Sequence, residues 1–149
     1  MKSPIKNIPI QALLTSMLKD SKKAMLSAGA FYSYIAQQIR NGFIRSKFTK
    51  FSNEESKKHK NTINDRLKLA DNKSCISGPD EPDTCEDSSC YSLIGALHRA
   101  KELAKRIIRI SKEEKKKDRD HPAMYDEIIK DEKKYYKALK KEEHFFRPQ

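Results

Sequence analysis

The apolar residues of this chain return every third or fourth position along four long stretches, and that rhythm leaves few architectures open. The first stretch, about 10–39, follows Pro9 and carries Leu14, Met17/Leu18, Met25, Ala28, Phe31/Tyr32, Ile35/Ala36 and Ile39. Ala24, Ala28, Gly29 and Ala30 are small enough to let a neighbouring helix come close. Asn41-Gly42 reads as a helix stop, with Gly in the left-handed conformation. A second stretch, about 44–70, reads Ile44, Phe48, Phe51, Glu55, His59, Ile63 and Leu67. Steps of 3.6 residues from Ile44 land near 48, 51, 55, 58, 62 and 66, which puts Glu55 on the axis of the face and His59 beside it. Glu54 falls on the solvent side.

The third stretch, about 92–117, buries Ala96/Leu97, Ala100, Leu103/Ala104, Ile107 and Ile110, with no acidic residue on the stripe. Asp120-His121-Pro122 opens the fourth, since Pro is tolerated in a first helical turn. This last helix should end before Phe145, and its face is made by Tyr125, Ile128/Ile129, Tyr135/Tyr136 and Leu139. Glu132 lies at the centre of that face. A lone charge buried there is prohibitively costly, so it must be paired, hydrogen-bonded, protonated or bound to a cation.

Residues 71–90 break every pattern. They hold Ser77-Gly78-Pro79, Pro82, all three cysteines and six acids against Lys73, a net charge of −5. A connection of about 20 residues is long inside a compact domain and suits a functional loop or a crossover. Cys85-x4-Cys90 is a poor zinc pattern, because closed sites use four well-spaced ligands. Ordinary thiols, or one local disulfide among Cys75, Cys85 and Cys90, are the preferred reading.

Two long helices, a long link and two more long helices predict an all-α single domain over 1–149. Its expected form is a four-helix bundle of two antiparallel hairpins joined by a crossover at about 71–91. With 36% charged residues, 4 Gly and no Trp, the composition agrees with helices rather than sheet. No stretch approaches the roughly 20 apolar residues of a membrane span, and lysines interrupt the N-terminal apolar run, so a cytoplasmic location is expected.

The chain resembles the rubrerythrin and ferritin-like family over about 13–139. The matching segments are Ala28-Gly29-Ala30-Phe31-Tyr32-Ser33-Tyr34-Ile35-Ala36, Glu54-Glu55-Ser56-Lys57-Lys58-His59 and Ile128-Ile129-Lys130-Asp131-Glu132-Lys133-Lys134-Tyr135. The resemblance implies a bundle with a di-metal core. In such cores a Glu from each of two helices and a Glu-x-x-His from each of the other two supply the ligands. Carried onto this chain, the pattern is broken. Ser27 stands where the first helix should offer Glu, and Ser56 lies three before His59, with Glu55 four before it. The third helix offers Leu103, Ala104 or Arg106 at its ligand position. Glu132 matches in the fourth helix, but Tyr135 stands in place of His.

Glu55, His59 and Glu132 are therefore the candidate metal ligands, with Ser27, Ser56 and Tyr135 at substituted-ligand or supporting positions. Two carboxylates cannot offset two divalent ions in a low dielectric, so no stable pair of irons is expected. The preferred reading is a ferritin-like protein that has lost its di-iron site, needs no cofactor and serves a binding or structural role rather than catalysis. The alternative is a metal-binding or redox protein with one divalent Fe, Zn or Mn at a reduced site. A third reading starts from charge: with −5 in 71–90 and +11 overall, the rest of the chain carries +16. Lys105, Arg109, Lys112 and Lys116 would then contact nucleic acid or a nucleoprotein particle. Self-association through helix faces is a further expected partner mode.

Overall fold

The computed structural model describes residues 10–70 and 87–146. Four helical rods make up almost all of them. Helix α1 spans Ile10–Gln38. The second rod is continuous but changes winding, as α2 (Gly42–Asn53), a π-helical turn (Glu54–His59) and α3 (Lys60–Ala70). A 3-10 turn, Ser88–Cys90, leads into α4 (Leu93–Lys117), and α5 covers Pro122–Phe146. No helix among the described residues is long and apolar enough to cross a membrane.

Cross-links between the rods give their directions. Gly29 of α1 meets Ser52 while Arg45 reaches the Ile39 carbonyl, so α1 and α2 are antiparallel. Ser21 contacts Glu114 and Tyr34 contacts the Tyr91 carbonyl, so α1 is antiparallel to α4 as well. Lys101–Glu143 and Lys115–Asp126 make α4 and α5 an antiparallel hairpin. Tyr135 meets Glu54 while Asp118, just ahead of α5, meets Arg66, so α5 runs against the second rod. The rods thus run up, down, down, up, with the second rod and α4 parallel. The expected four-helix bundle of two antiparallel hairpins is what forms; the link over 71–86, with Cys75 and Cys85, lies outside the described residues, and Cys90 is an exposed free thiol.

The core follows the four stripes. Leu14, Leu18, Met25, Phe31 and Ile35 from α1 meet Phe48, Phe51, Ile63 and Leu67 from the second rod. Leu97, Leu103 and Ile107 of α4 and Ile128 and Leu139 of α5 close it. Each large aliphatic side chain sealed this way contributes on the order of 2 kcal/mol.

Two boundaries and one buried residue differ from expectation. Asn41 and Gly42 begin a helix rather than end one: the Asn41 side chain accepts from the amides of Phe43 and Ile44 at 3.0 and 3.1 Å. Its backbone is extended at φ −64°, ψ 116°, the geometry of an N-cap, and Gly42 is the first residue of α2. Helix α5 runs through Phe145 to Phe146 instead of stopping short, anchored by Glu143, which pairs with Lys101 at 2.9 Å. Glu114, on the third stripe beyond Ser111, is fully buried, so α4 does place a carboxylate in the core.

At Gly29, α1 and the second rod pack closely. A Cβ there would stand 3.3 Å from the Ser56 Cβ and 3.5 Å from the Ser52 carbonyl oxygen. Contact that tight is with backbone and a stub side chain, which cannot swing away. Gly29→Val should therefore cost about 1–3 kcal/mol in urea unfolding, the usual penalty of overpacking. Ala at the same position should cost less.

Candidate metal centre

The π-turn is the local device that builds the site. The Lys60 amide reaches back five residues to the Glu55 carbonyl, so the rod takes one residue more than an α-turn would. Its effect shows in the buried face. Steps of 3.6 from Ile44 give 58, 62 and 66, yet the buried side chains are His59, Ile63 and Leu67, each one residue later. The extra residue also draws Glu54 into the interior seam, where the Tyr135 hydroxyl donates to it at 2.7 Å. Glu54 is thus half-buried rather than on the solvent face.

A ring nitrogen of His59 and one oxygen each of Glu55 and Glu132 lie within 4.8 Å of one another, and all three residues are buried. No donor from any other described group reaches the four oxygens of Glu55 and Glu132. Burial raises the Glu55 carboxyl from 4.5 to about 8. Burial, and then the facing Glu55, lift Glu132 well above the usual carboxylate range. Without a cation the two acids keep at least one proton between them, since like charges this close cannot both ionise.

His59 is set up as a neutral base. Burial lowers its pKa, outweighing the pull of Asp131. Its Nε2 lies 3.1 Å from Asp131 Oδ2 and 3.3 Å from the Tyr135 hydroxyl. Because that hydroxyl donates to Glu54, the imidazole proton belongs on Nε2, donated toward Asp131. Nδ1 then carries the lone pair, the arrangement that orients and strengthens metal-binding histidines. Asp131 is held in turn by Lys58 at 3.3 Å, which also grips Glu127 at 2.9 Å.

Aromatic rings wall the cluster. Tyr135 packs on Phe51 at 4.5 Å between centroids and on Tyr32 at 5.6 Å. The Tyr32 hydroxyl is buried without a hydrogen-bond partner among the described residues. Burial, then the charges of Glu132 and Glu55, push its pKa well above 10. Its oxygen lies close enough to both acids to be acted on by their charges.

Of the residues singled out in the sequence, the structure brings Glu55, His59, Glu132 and Tyr135 together. Ser27 is buried on α1. Ser56 turns away from the cluster toward α1, donating to the Ser52 carbonyl at 2.7 Å with its Cβ against Gly29. Lys105, Arg109, Lys112 and Lys116 line one groove on the far side of α4 and α5. Glu54 and Asp131 belong to the site although the periodicity did not select them, and Tyr32 belongs to it although its stripe marked it only as core. The adjacent acid pairs Glu54-Glu55 and Asp131-Glu132, one on each facing rod, were the available signal.

A second polar layer provides the contrast. Arg66 forks onto Asp118 at 2.6 and 2.9 Å, and Tyr125 and His121 complete the ring around that carboxylate. Burial alone would raise Asp118, but these partners hold it down at about 2. Nearby, Ser21 donates to Glu114 at 2.7 Å, yet burial still lifts that acid to about 8. Asp118 is satisfied from within the protein; the Glu55–Glu132 pair is not, and Glu114 keeps one oxygen, Oε1, without a donor among the described residues.

Compared with known proteins, the chain matches no family model, no curated protein and no solved structure. The chemistry of the site therefore has to be argued from its atoms.

Those atoms fix a pH dependence. In the unfolded chain Glu55 and Glu114 ionise near 4.5, whereas in the fold each keeps its proton to about 8. Their contribution is whole below about 4.5 and is lost as pH rises toward 8. His59 acts oppositely, its contribution being lost as pH falls below 6.5. Chelator-treated protein should thus gain thermal stability as pH is lowered from about 8.5 to about 6.5. Glu114→Gln should shrink that gain, as followed by circular dichroism melts.

Proposed function

We propose that this protein is a ferritin-like helical bundle that holds one divalent transition-metal ion between Glu55, His59 and Glu132. The observation that carries the proposal is the set of four buried carboxylate oxygens with no donor from another group. A buried acid normally finds partners, and each one left bare costs several kcal/mol. A divalent cation meets the need of both acids at once and leaves a neutral centre. Two oxygens and one imidazole suit Fe(II), Mn(II) or Zn(II), with coordination positions left for water or a ligand. When bound, such an ion would supply Lewis-acid or one-electron chemistry.

The chain's own groups have defined parts in this reading. Glu55 and Glu132 neutralise the charge, His59 offers its lone pair, and Asp131 holds the imidazole in the right tautomer. Tyr135 braces both His59 and Glu54. Glu54 and Asp131 are occupied by these tasks, which is why one ion is proposed and not two.

Support for the ferritin-like relationship comes from two features. The rods run up, down, down, up, the order expected when two hairpins are joined by a lengthwise crossover. The π-turn also accounts for the broken motif. Glu55-x-x-x-His59 is one residue longer than Glu-x-x-His, and a π-turn absorbs one residue. The spacing therefore fills the role of Glu-x-x-His without matching it. Among the readings open in the sequence, a reduced single-metal site is favoured over a purely structural role by the bare oxygens.

Elemental analysis of natively purified protein, followed by calorimetric titration with Fe(II), Mn(II) and Zn(II), tests the proposal. One ion per chain is expected, lost in Glu132→Ala and in His59→Ala. Binding should release protons and tighten between pH 6.5 and 8, because the ion displaces a proton held by a carboxyl near 8. Two ions per chain would restore a di-metal reading. No ion, with a melting midpoint indifferent to chelator, would return the bundle to a structural or binding role.

A further inference from the structure

The outer faces of α4 and α5 form a groove that neither the core nor the proposed metal centre uses. It encloses about 1010 Å³. On α5 it runs from Pro122 to Tyr136, about 21 Å at 1.5 Å per residue. Its floor is apolar: Ile108, Ile129 and Tyr136 line it, each half-buried. Ile129 and Tyr136 are seven residues apart on α5, two helical turns, and Ile108 comes from the facing helix.

The rim is basic, and part of its charge is not neutralised from within. Lys115 is tied to Asp126 at 2.7 Å and Lys116 to Glu113 at 3.3 Å. Lys105 lies over the Tyr136 ring, 5.9 Å from its centroid. Arg109, Lys112, Arg119 and Lys133 also line the groove, and each is exposed with no partner among the described residues. Like charges crowded along one channel repel each other and raise its potential, which favours an anionic occupant.

We infer that this groove docks an acidic amphipathic helix of about four turns from a partner protein. Length, floor and rim each select that occupant. A channel about 21 Å long between two antiparallel helices accepts roughly 14 residues of helix. Apolar anchors at i, i+3 or i+4 and i+7 of such a helix meet a floor whose own contacts are two turns apart. Acidic residues flanking that stripe then meet the four free cations, which steer the encounter and set its orientation.

A nucleic-acid backbone would use the cations but gain little from Ile108 and Ile129, which it would leave wet. A second copy of this chain is disfavoured by charge, since each copy carries +11.

The test uses the full-length protein and a labelled helical peptide of about 18 residues. The peptide carries Leu at i, i+3, i+7 and i+10 and Glu beside the stripe. Its controls are a scrambled peptide of the same composition and a 20-nucleotide single-stranded RNA. Fluorescence anisotropy at low salt should show the amphipathic peptide binding at least about tenfold tighter than the scramble. The double variant Arg109→Glu, Lys112→Glu, whose side chains are exposed and outside the core, should weaken it by about tenfold or more. Ile129→Ser should weaken the amphipathic peptide and leave the scramble unchanged.

Equal binding of the two peptides would overturn the inference and leave only a polyanion-attracting surface. Tighter binding of the RNA, displacing the peptide, would overturn it in favour of nucleic acid. Self-association lost in the double variant would assign the groove to a second copy. No binding of the amphipathic peptide at about 100 μM would overturn it outright.

Discussion

Two carboxylic acids that meet inside an apolar bundle must share a proton or share a cation, and the middle of this molecule is arranged around such a pair. Glu55 and Glu132 come from rods distant in sequence, and two neighbouring donors, Tyr135 and His59, are turned to Glu54 and Asp131. Tyr135 gives its proton to Glu54, and His59 gives its proton to Asp131. What remains around the two acids is a ring nitrogen of His59, the unpartnered Tyr32 hydroxyl and aromatic carbon. Such an environment penalises anions far more than it penalises a neutral ion pair or a charge-balanced complex. The interior therefore favours a net-neutral cluster, and it leaves open only which positive species provides the balance.

The second layer, two to three turns along the bundle, solves the same problem with side chains alone. Arg66 brings a permanent charge and a forked geometry to Asp118, and Tyr125 and His121 close the remaining lone pairs. The two layers lie on the same pair of rods and obey the same electrostatics. Their difference is that one contains its cation as an arginine. The aromatic wall of Tyr32, Phe51 and Tyr135 keeps the first layer dry, so its charge balance cannot be relaxed by bulk water.

Most of the architecture was legible in the sequence because amphipathic periodicity reports directly on burial. The four rods, the direction of the hairpins and the inward placement of Glu55, His59 and Glu132 all follow from it. The misreadings have specific causes. Asn-Gly serves equally as a C-terminal stop and as a cap with the first residue of the next helix, and only the backbone angle of Asn41 separates the two. Glu114 was hidden because its stripe turns polar one turn earlier, at Ser111, so the helix appeared to have left the core. Glu54 was misassigned because a constant 3.6-residue step was applied across a turn that is not α-helical. The drift was there to be seen: from Phe51 the buried positions recur at steps of four through Leu67. Four such steps would carry the stripe about 160° around a regular α-helix.

The under-wound turn has a consequence for how this rod tolerates change in length. It lets one extra residue into the rod while keeping two segments in phase, each meshed separately with its partners. Upstream, Phe48 and Phe51 are set against α1 and the Tyr135 ring; downstream, Ile63, Arg66 and Leu67 are set against the far layer. Loss of a single residue anywhere in Glu54–His59 lets the backbone relax to ordinary α-helix, a locally favourable change that leaves the rod unbroken. Because the π-turn already absorbs one surplus residue, that deletion leaves the two segments in nearly the same relative rotation, and Arg66 would still face Asp118. What would be lost is the inward swing of Glu54 onto the Tyr135 hydroxyl. A deletion elsewhere in the rod has no surplus to draw on and would turn everything beyond it by about 100°.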